Sequence, residues 1–228
     1  HLWGCSPELL RRMDLQGIYQ KRNLRTVLAS VELLRKDKAF EDCDFSDEKV
    51  CDAIIHTAER MEFHGRWEKL SDSPCIICDI GHNEHGLRYN FSQLSDMLGS
   101  GEYSDLIIVY GSVADKDVDA VMHLLPSGAH YIFTNASSRR ALAAEEIMDK
   151  YLASCSKKGT APGVAEVAGN VPDAVRRSLC LCDLLCSENH DAKPLIYIGG
   201  STYVVSEAVE FISHTQLLHE HQQESLHI

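Results

Sequence analysis

From residue 74 onward, short apolar runs rich in β-formers alternate with stretches of helical periodicity. The runs read "CIICDI", "DLIIVYG", "HYIFTN", "GVAEVAG" and "PLIYIGG". Several are almost uninterrupted apolar sequence, the pattern of strands covered on both faces. Helical spacing falls between them and after the last, at 84–98, 117–125, 143–154, 171–186 and 202–213. Strand, helix, strand in regular succession predicts an α/β fold: a doubly wound, mainly parallel sheet with helices on both faces and right-handed crossovers.

The preceding residues follow a different pattern. "KRNLRTVLASVELLRK" carries apolar residues at 24, 27, 28, 31 and 34, a helical spacing. "SDEKVCDAIIHTAERM" predicts a second amphipathic helix with Ser46 as its cap. The connector "DKAFEDCDFSD" is acidic and unpatterned. This part has no strand candidate of its own and reads as the end of another domain. The organisation expected is 1–63 helical and incomplete, 64–214 α/β, and 215–228 a tail. The four histidines of "HTQLLHEHQQESLHI" are a weak metal option, since their spacing fits no familiar site.

Charge restricts the partners. The chain carries a formal net charge of −12 over 228 residues. That excludes a broad basic face of the kind that neutralises nucleic-acid phosphates. An anionic ligand would have to be met by local cations against a repelling global field. No apolar run approaches the roughly 20 residues of a membrane span. Nine cysteines without framework spacing are expected to be reduced, in a cytoplasmic protein. The chain opens on His1, not Met, so it is expected to be a processed product or a piece of something longer.

In open α/β sheets, ligands bind outside the carboxyl ends of the strands. After the first run stand Asp79, His82 and Asn83; after the second, Gly111, Ser112 and "DKD" with Lys116; after the third, Asn135, Ser137, Ser138, Arg139 and Arg140; after the last, Gly199, Gly200, Ser201 and Thr202. A helix starting near Asn83 would aim free N–H groups at an anion. Asp79 fits such a site only by accepting from hydroxyls, an amine or a cation. Plainer readings stand beside these: Asn83 as a helix cap, His82 as a turn histidine, "GGST" as a tight turn with an N-cap, and Arg139 and Arg140 as a solvated face.

Four stretches narrow the choice: "GIYQKRNLRTVLASVELL" at 17–34, "GRWEKLSDSPCIICDIGHNEHG" at 65–86, "GSVADKDV" at 111–118 and "IGGSTYVVSEA" at 198–208. In this order and spacing they resemble the C-terminal part of the folylpolyglutamate synthase/dihydrofolate synthase family of Mur ligases. The resemblance runs from about residue 14 to 212. It implies a Rossmann-like C-terminal domain preceded by the helical end of a central P-loop ATPase domain. It implies ATP-dependent addition of L-glutamate to a pteroate or folate carboxylate through an acyl phosphate. Asn23, Arg66 and Asp79 match nucleotide-contacting positions. His82 and Ser201 match positions suited to the incoming glutamate or the reacting phosphate. Asn83, Lys116 and Arg140 are secondary candidates.

Two departures matter. The family's D-G-A-H-N-P reads D-I-G-H-N-E here, with Asp79, His82 and Asn83 at their usual spacing. G-x-x-x-x-G-K-[ST] occurs nowhere in these residues. The resemblance therefore places the phosphate loop and the ligands of Mg²⁺ in an upstream half, and implies that this piece alone is inactive and that the parent is a monomer. A peptidoglycan-precursor Mur ligase and a non-catalytic nucleotide-binding module are the alternatives.

Overall fold

The computed structural model describes residues 6–225, with side chains through 215. The chain divides into two compact units, 1–68 and 69–228.

The first unit is helical: α1 Pro7–Arg12, α2 Gln20–Leu34, a 3₁₀ turn at Lys38–Phe40, α3 Asp47–Ile55 and α4 Thr57–Met61. Leu24 and Leu28 of α2 meet Val50, Ile54 and Ile55 of α3 and Leu9 and Met13 in one small core. The single helix expected over 46–61 is two helices. The break falls at His56, whose backbone leaves helical geometry (φ −110°, ψ 31°). Ser46 occupies the N-cap position of α3 without a hydrogen bond from its hydroxyl. Its own N–H donates to Asp44 Oδ1 at 2.9 Å instead, an Asx turn that orients the entry.

The second unit holds the sheet: β1 Glu68–Asp72, β2 Cys75–Asp79, β3 Asp105–Tyr110, β4 His130–Thr134, β5 Ala165–Ala168 and β6 Pro194–Gly199, in the order β1-β2-β6-β3-β4-β5. β2 with β6, β6 with β3, β3 with β4 and β4 with β5 are parallel. All five expected strands are present. β1 was not anticipated: "EKLSD" has one apolar residue, and the strand lies at the sheet edge with a partly exposed pattern.

Helices α5 Glu84–Gly99, α6 Asp119–Met122, α7 Ala144–Lys158, α8 Val171–Glu188 and α9 Thr202–Ser225 complete the unit. Alternation sorts the strand side chains by face. Ile76, Cys78, Ile107, Val109, Ile132, Ile196 and Ile198 share one core with Val175 and Cys182 of α8 and Val204, Ala208 and Ile212 of α9. The other face is aromatic. Phe91 of α5 meets Tyr197 at 6.1 Å between centroids, and Tyr151 of α7 meets Tyr131 at 4.6 Å. The sheet is thus covered on both sides, as the continuous apolar runs require. The metal option for the tail falls mainly on His219, His221 and His227, which lie outside the described side chains. Among the described residues, no helix is long and apolar enough to cross a membrane.

Candidate functional site

Register aligns the strand ends. Asp79 pairs with Gly199, Gly199 with Tyr110, and Tyr110 with Phe133, so the loops after β2, β6, β3 and β4 leave the sheet side by side. Gly200 makes the exit from β6 possible. Its φ is +93°, and a Cβ there would lie 2.5 Å from the Gly111 carbonyl and 2.6 Å from the Tyr110 ring.

A cavity of about 380 Å³ opens at these ends, lined by His82, Val113, Lys116, Arg140, Ser201, Thr202 and Tyr203. Four of the eight residues singled out from the sequence therefore meet in one place: His82, Lys116, Arg140 and Ser201. Lys116 and Arg140 thus bring two cationic side chains to one pocket on a chain of net charge −12. Ser201 is 3% exposed; its Oγ accepts from Tyr203 N–H at 3.2 Å and so caps α9. Arg140 pairs through Nη2 with Asp115 Oδ2, and its Nη1 lies 3.4 Å from the Tyr203 hydroxyl. The Arg140 hydrogen bond holds the Asp115 carboxyl below its ordinary range. Both side chains of that pair are half exposed, so the pairing is a weak, exchangeable one.

His82 Nδ1 lies 3.0 Å from the Ile80 carbonyl oxygen. A carbonyl only accepts, so Nδ1 carries the proton, and in the neutral ring Nε2 is an acceptor. Donation from Nε2 to a carboxylate would require the imidazolium.

Asp79 sits behind the cavity rather than in its wall. It is 1% exposed, and its Oδ1 accepts from Gly81 N–H at 2.6 Å and from Asn90 Nδ2 at 2.8 Å. Asn90 Nδ2 also reaches the Tyr197 hydroxyl at 2.9 Å. Burial raises the Tyr197 phenol well above its ordinary value, so it stays neutral. Asn83 takes the plainer of its two readings: its Oδ1 accepts from Gly86 N–H at 2.8 Å, capping α5. Sequence reasoning missed Asn90, Tyr197 and Tyr203. Asn90 was detectable, because it falls on the same stripe of α5 as Leu87, Phe91 and Leu94.

The remaining two candidates belong to the first unit. Asn23 is exposed on α2 and donates from Nδ2 to Gln20 Oε1 at 2.8 Å. Arg66 stands between Gly65 (φ +79°) and Trp67 (φ +50°), a left-handed turn that a non-glycine residue enters only at a cost of about 1–3 kcal/mol. It lines a cavity with Phe63 and His64, bordered by Asp14, Glu59, Glu62 and Glu68. Among the described residues, no group of three His, Cys, Asp or Glu is arranged to hold a metal ion.

Comparison with known proteins agrees with this architecture. The chain is 27% identical over 197 residues to a probable bifunctional folylpolyglutamate synthase/dihydropteroate synthase of Haloferax volcanii, covering 86% of this chain and 20% of that protein. It is 27% identical over 150 residues to a dihydrofolate synthase/folylpolyglutamate synthase of Buchnera aphidicola, covering 65% of this chain and 30% of the relative. A Mycobacterium tuberculosis folylpolyglutamate synthase complexed with ADP superimposes with a TM-score of 0.67 at 26% identity, over 88% of this chain and 41% of that one. The chain thus spans only about a fifth to a third of the length of these curated relatives. The sequence pattern of the family described as "Mur ligase, glutamate ligase domain" matches residues 60–183, more than half of the chain and most of its sheet. This chain belongs to the Mur ligase family, glutamate ligase domain.

Proposed function

We propose that this chain is the amino-acid-positioning domain of an ATP-dependent amide ligase that joins L-glutamate to a pteroate or folate carboxylate. The observation that carries this reading is the strand-end cavity, where Lys116, Arg140, Ser201 and His82 converge. Glutamate brings two carboxylates and one amine. Lys116 and the Arg140 fork suit the carboxylates. Ser201 offers a hydroxyl to a carboxylate or to the phosphate being expelled. In the proposed reaction the γ-phosphate of ATP passes to the acceptor carboxylate, and the glutamate amine attacks the resulting acyl phosphate. The relatives bearing folylpolyglutamate synthase names support folate as the acceptor class.

For the nucleotide we propose Asn23 and Arg66, each within the first unit; Asp79, matched to a nucleotide-contacting position in the sequence, is 1% exposed and bonded to Gly81 and Asn90, so it holds the strand-end turn instead. Arg66, half-buried as a residue, and the exposed Phe63 ring suit a base or ribose. The surrounding carboxylates do not suit a triphosphate. The phosphates and Mg²⁺ are therefore assigned to a phosphate-loop domain working with this chain. If these residues alone released ADP from ATP in the presence of glutamate and folate at enzyme-like rates, that assignment would be wrong. The acceptor is tested on the protein that carries this chain, by offering dihydropteroate or tetrahydrofolate against a UDP-linked sugar peptide. Turnover of the pteridine alone is expected; turnover of the sugar peptide alone would overturn the folate reading.

A further inference from the structure

We infer that His82 is the proton acceptor for the incoming amine, an inference that rests on the ligase reading above. An ammonium group cannot attack an acyl phosphate, so a proton must leave the nitrogen before or as the C–N bond forms. The lining of the strand-end cavity is His82, Val113, Lys116, Arg140 and three hydroxyl residues. It contains no carboxylate. Lys116 and Arg140 are cations, and serine, threonine and tyrosine hydroxyls are far too weakly basic. His82 is the one side chain in that lining with a ring-nitrogen lone pair to receive a proton.

The turn presents the required nitrogen. The Ile80 carbonyl, 3.0 Å from Nδ1, fixes the tautomer with Nδ1–H and leaves the Nε2 lone pair for the ligand. The turn is itself anchored from below. Gly81 N–H and Asn90 Nδ2 both donate to Asp79 Oδ1, and Asn90 is held against the Tyr197 hydroxyl, with Asn90 and Tyr197 fully buried. Asn90 and Tyr197 are thereby positioning residues for the imidazole. In the step, the ammonium first gives one proton to His82 Nε2, which passes it to solvent; the amine nitrogen then bonds to the acyl carbon, the carbon–oxygen bond to phosphate breaks, phosphate departs with that electron pair, and the second nitrogen proton leaves with the phosphate or to solvent.

Two measurements test this. In ¹⁵N-histidine-labelled chain, long-range ¹H–¹⁵N correlation is expected to show the Nδ1–H tautomer of the His82 ring; the Nε2–H tautomer would overturn the inference. In the ligase that carries this chain, His82→Gln is compared with wild type using glutamate and using hydroxylamine, a weakly basic nucleophile that is already unprotonated at neutral pH. The variant is expected to lose about 10²–10⁴-fold in rate with glutamate and far less in hydroxamate formation. The retained hydroxamate reaction also serves as its folding control. Equal losses with both nucleophiles would mean that His82 does not act on the amine. Absence of hydroxamate from the wild-type enzyme would instead remove the acyl phosphate, and with it the ligase reading.

Discussion

Asn90 Nδ2 stands 2.8 Å from Asp79 Oδ1, and both residues are sealed from solvent beneath the turn that carries His82. A buried carboxylate needs donors, and Asn90 supplies one from the middle of an otherwise apolar helix stripe. Asn90→Leu keeps the volume and removes that donor. It is expected to cost about 1.5–3 kcal/mol, the range for hydrogen bonds to charged groups. Tyr197→Phe removes the neutral hydroxyl partner and is expected to cost about 0.5–1.5 kcal/mol. Urea unfolding checks both, as shifts in midpoint at unchanged slope.

How far the sequence reveals this arrangement depends on the periodicity of each segment. Strands β2, β3, β4 and β6 were legible because burial on both faces leaves nearly continuous apolar runs, and β5 by the alternation of "GVAEVAG" at the opposite edge. β1 was not, because an edge strand tolerates "EKLSD". Helix α5 was legible, yet Asn90 was passed over, since a polar residue inside a helix is ordinarily read as surface. Its cost is offset by Asp79 and Tyr197, distant in sequence, and pairings of that range leave no local signal. The meeting of His82, Lys116, Arg140 and Ser201 followed from strand-end placement, which sequence can supply. The Ile80 contact that sets the imidazole tautomer depends on a turn geometry that it cannot.

Lys116→Ala and Arg140→Ala are expected to raise the KM for glutamate in the ligase while leaving the KM for ATP near wild type. A charge-assisted contact of about 1.5–3 kcal/mol corresponds to a rise of roughly 10–150-fold. Steady-state kinetics with each substrate varied in turn makes the comparison. An equal rise for ATP would place these residues on the nucleotide instead.

The Asp115 carboxyl is held below its ordinary range by Arg140. A depressed folded-state value means that the pairing contributes at pH above the ordinary aspartate range and is lost as pH falls through the depressed value. Carboxyl ¹³C titration by NMR is expected to find Asp115 titrating below typical aspartates. Arg140→Ala should return it upward.

Gly200→Ala forces a Cβ into a left-handed residue packed against the Gly111 carbonyl and the Tyr110 ring. The expected cost is about 1–3 kcal/mol, with Ser201 displaced from the cap of α9. Thermal unfolding and the glutamate KM should both respond.

All eight cysteines among the described residues are free thiols. Burial pushes the Cys182 thiol up to about 11, whereas Cys43 and Cys180 are exposed. Alkylation of the native chain followed by peptide mapping should label Cys43 and Cys180 well before Cys182, since the thiolate is the reacting form.

The fate of the acceptor's carboxylate oxygen tests the acyl-phosphate route most directly. With dihydropteroate or tetrahydrofolate carrying ¹⁸O in that carboxylate, the protein bearing this chain is incubated with ATP and glutamate, and the released phosphate is analysed by mass. An acyl phosphate requires that the phosphate leave with an acceptor oxygen, so the account predicts labelled phosphate formed together with ADP and the glutamyl amide. Unlabelled phosphate, or no ADP dependent on the acceptor, would contradict it.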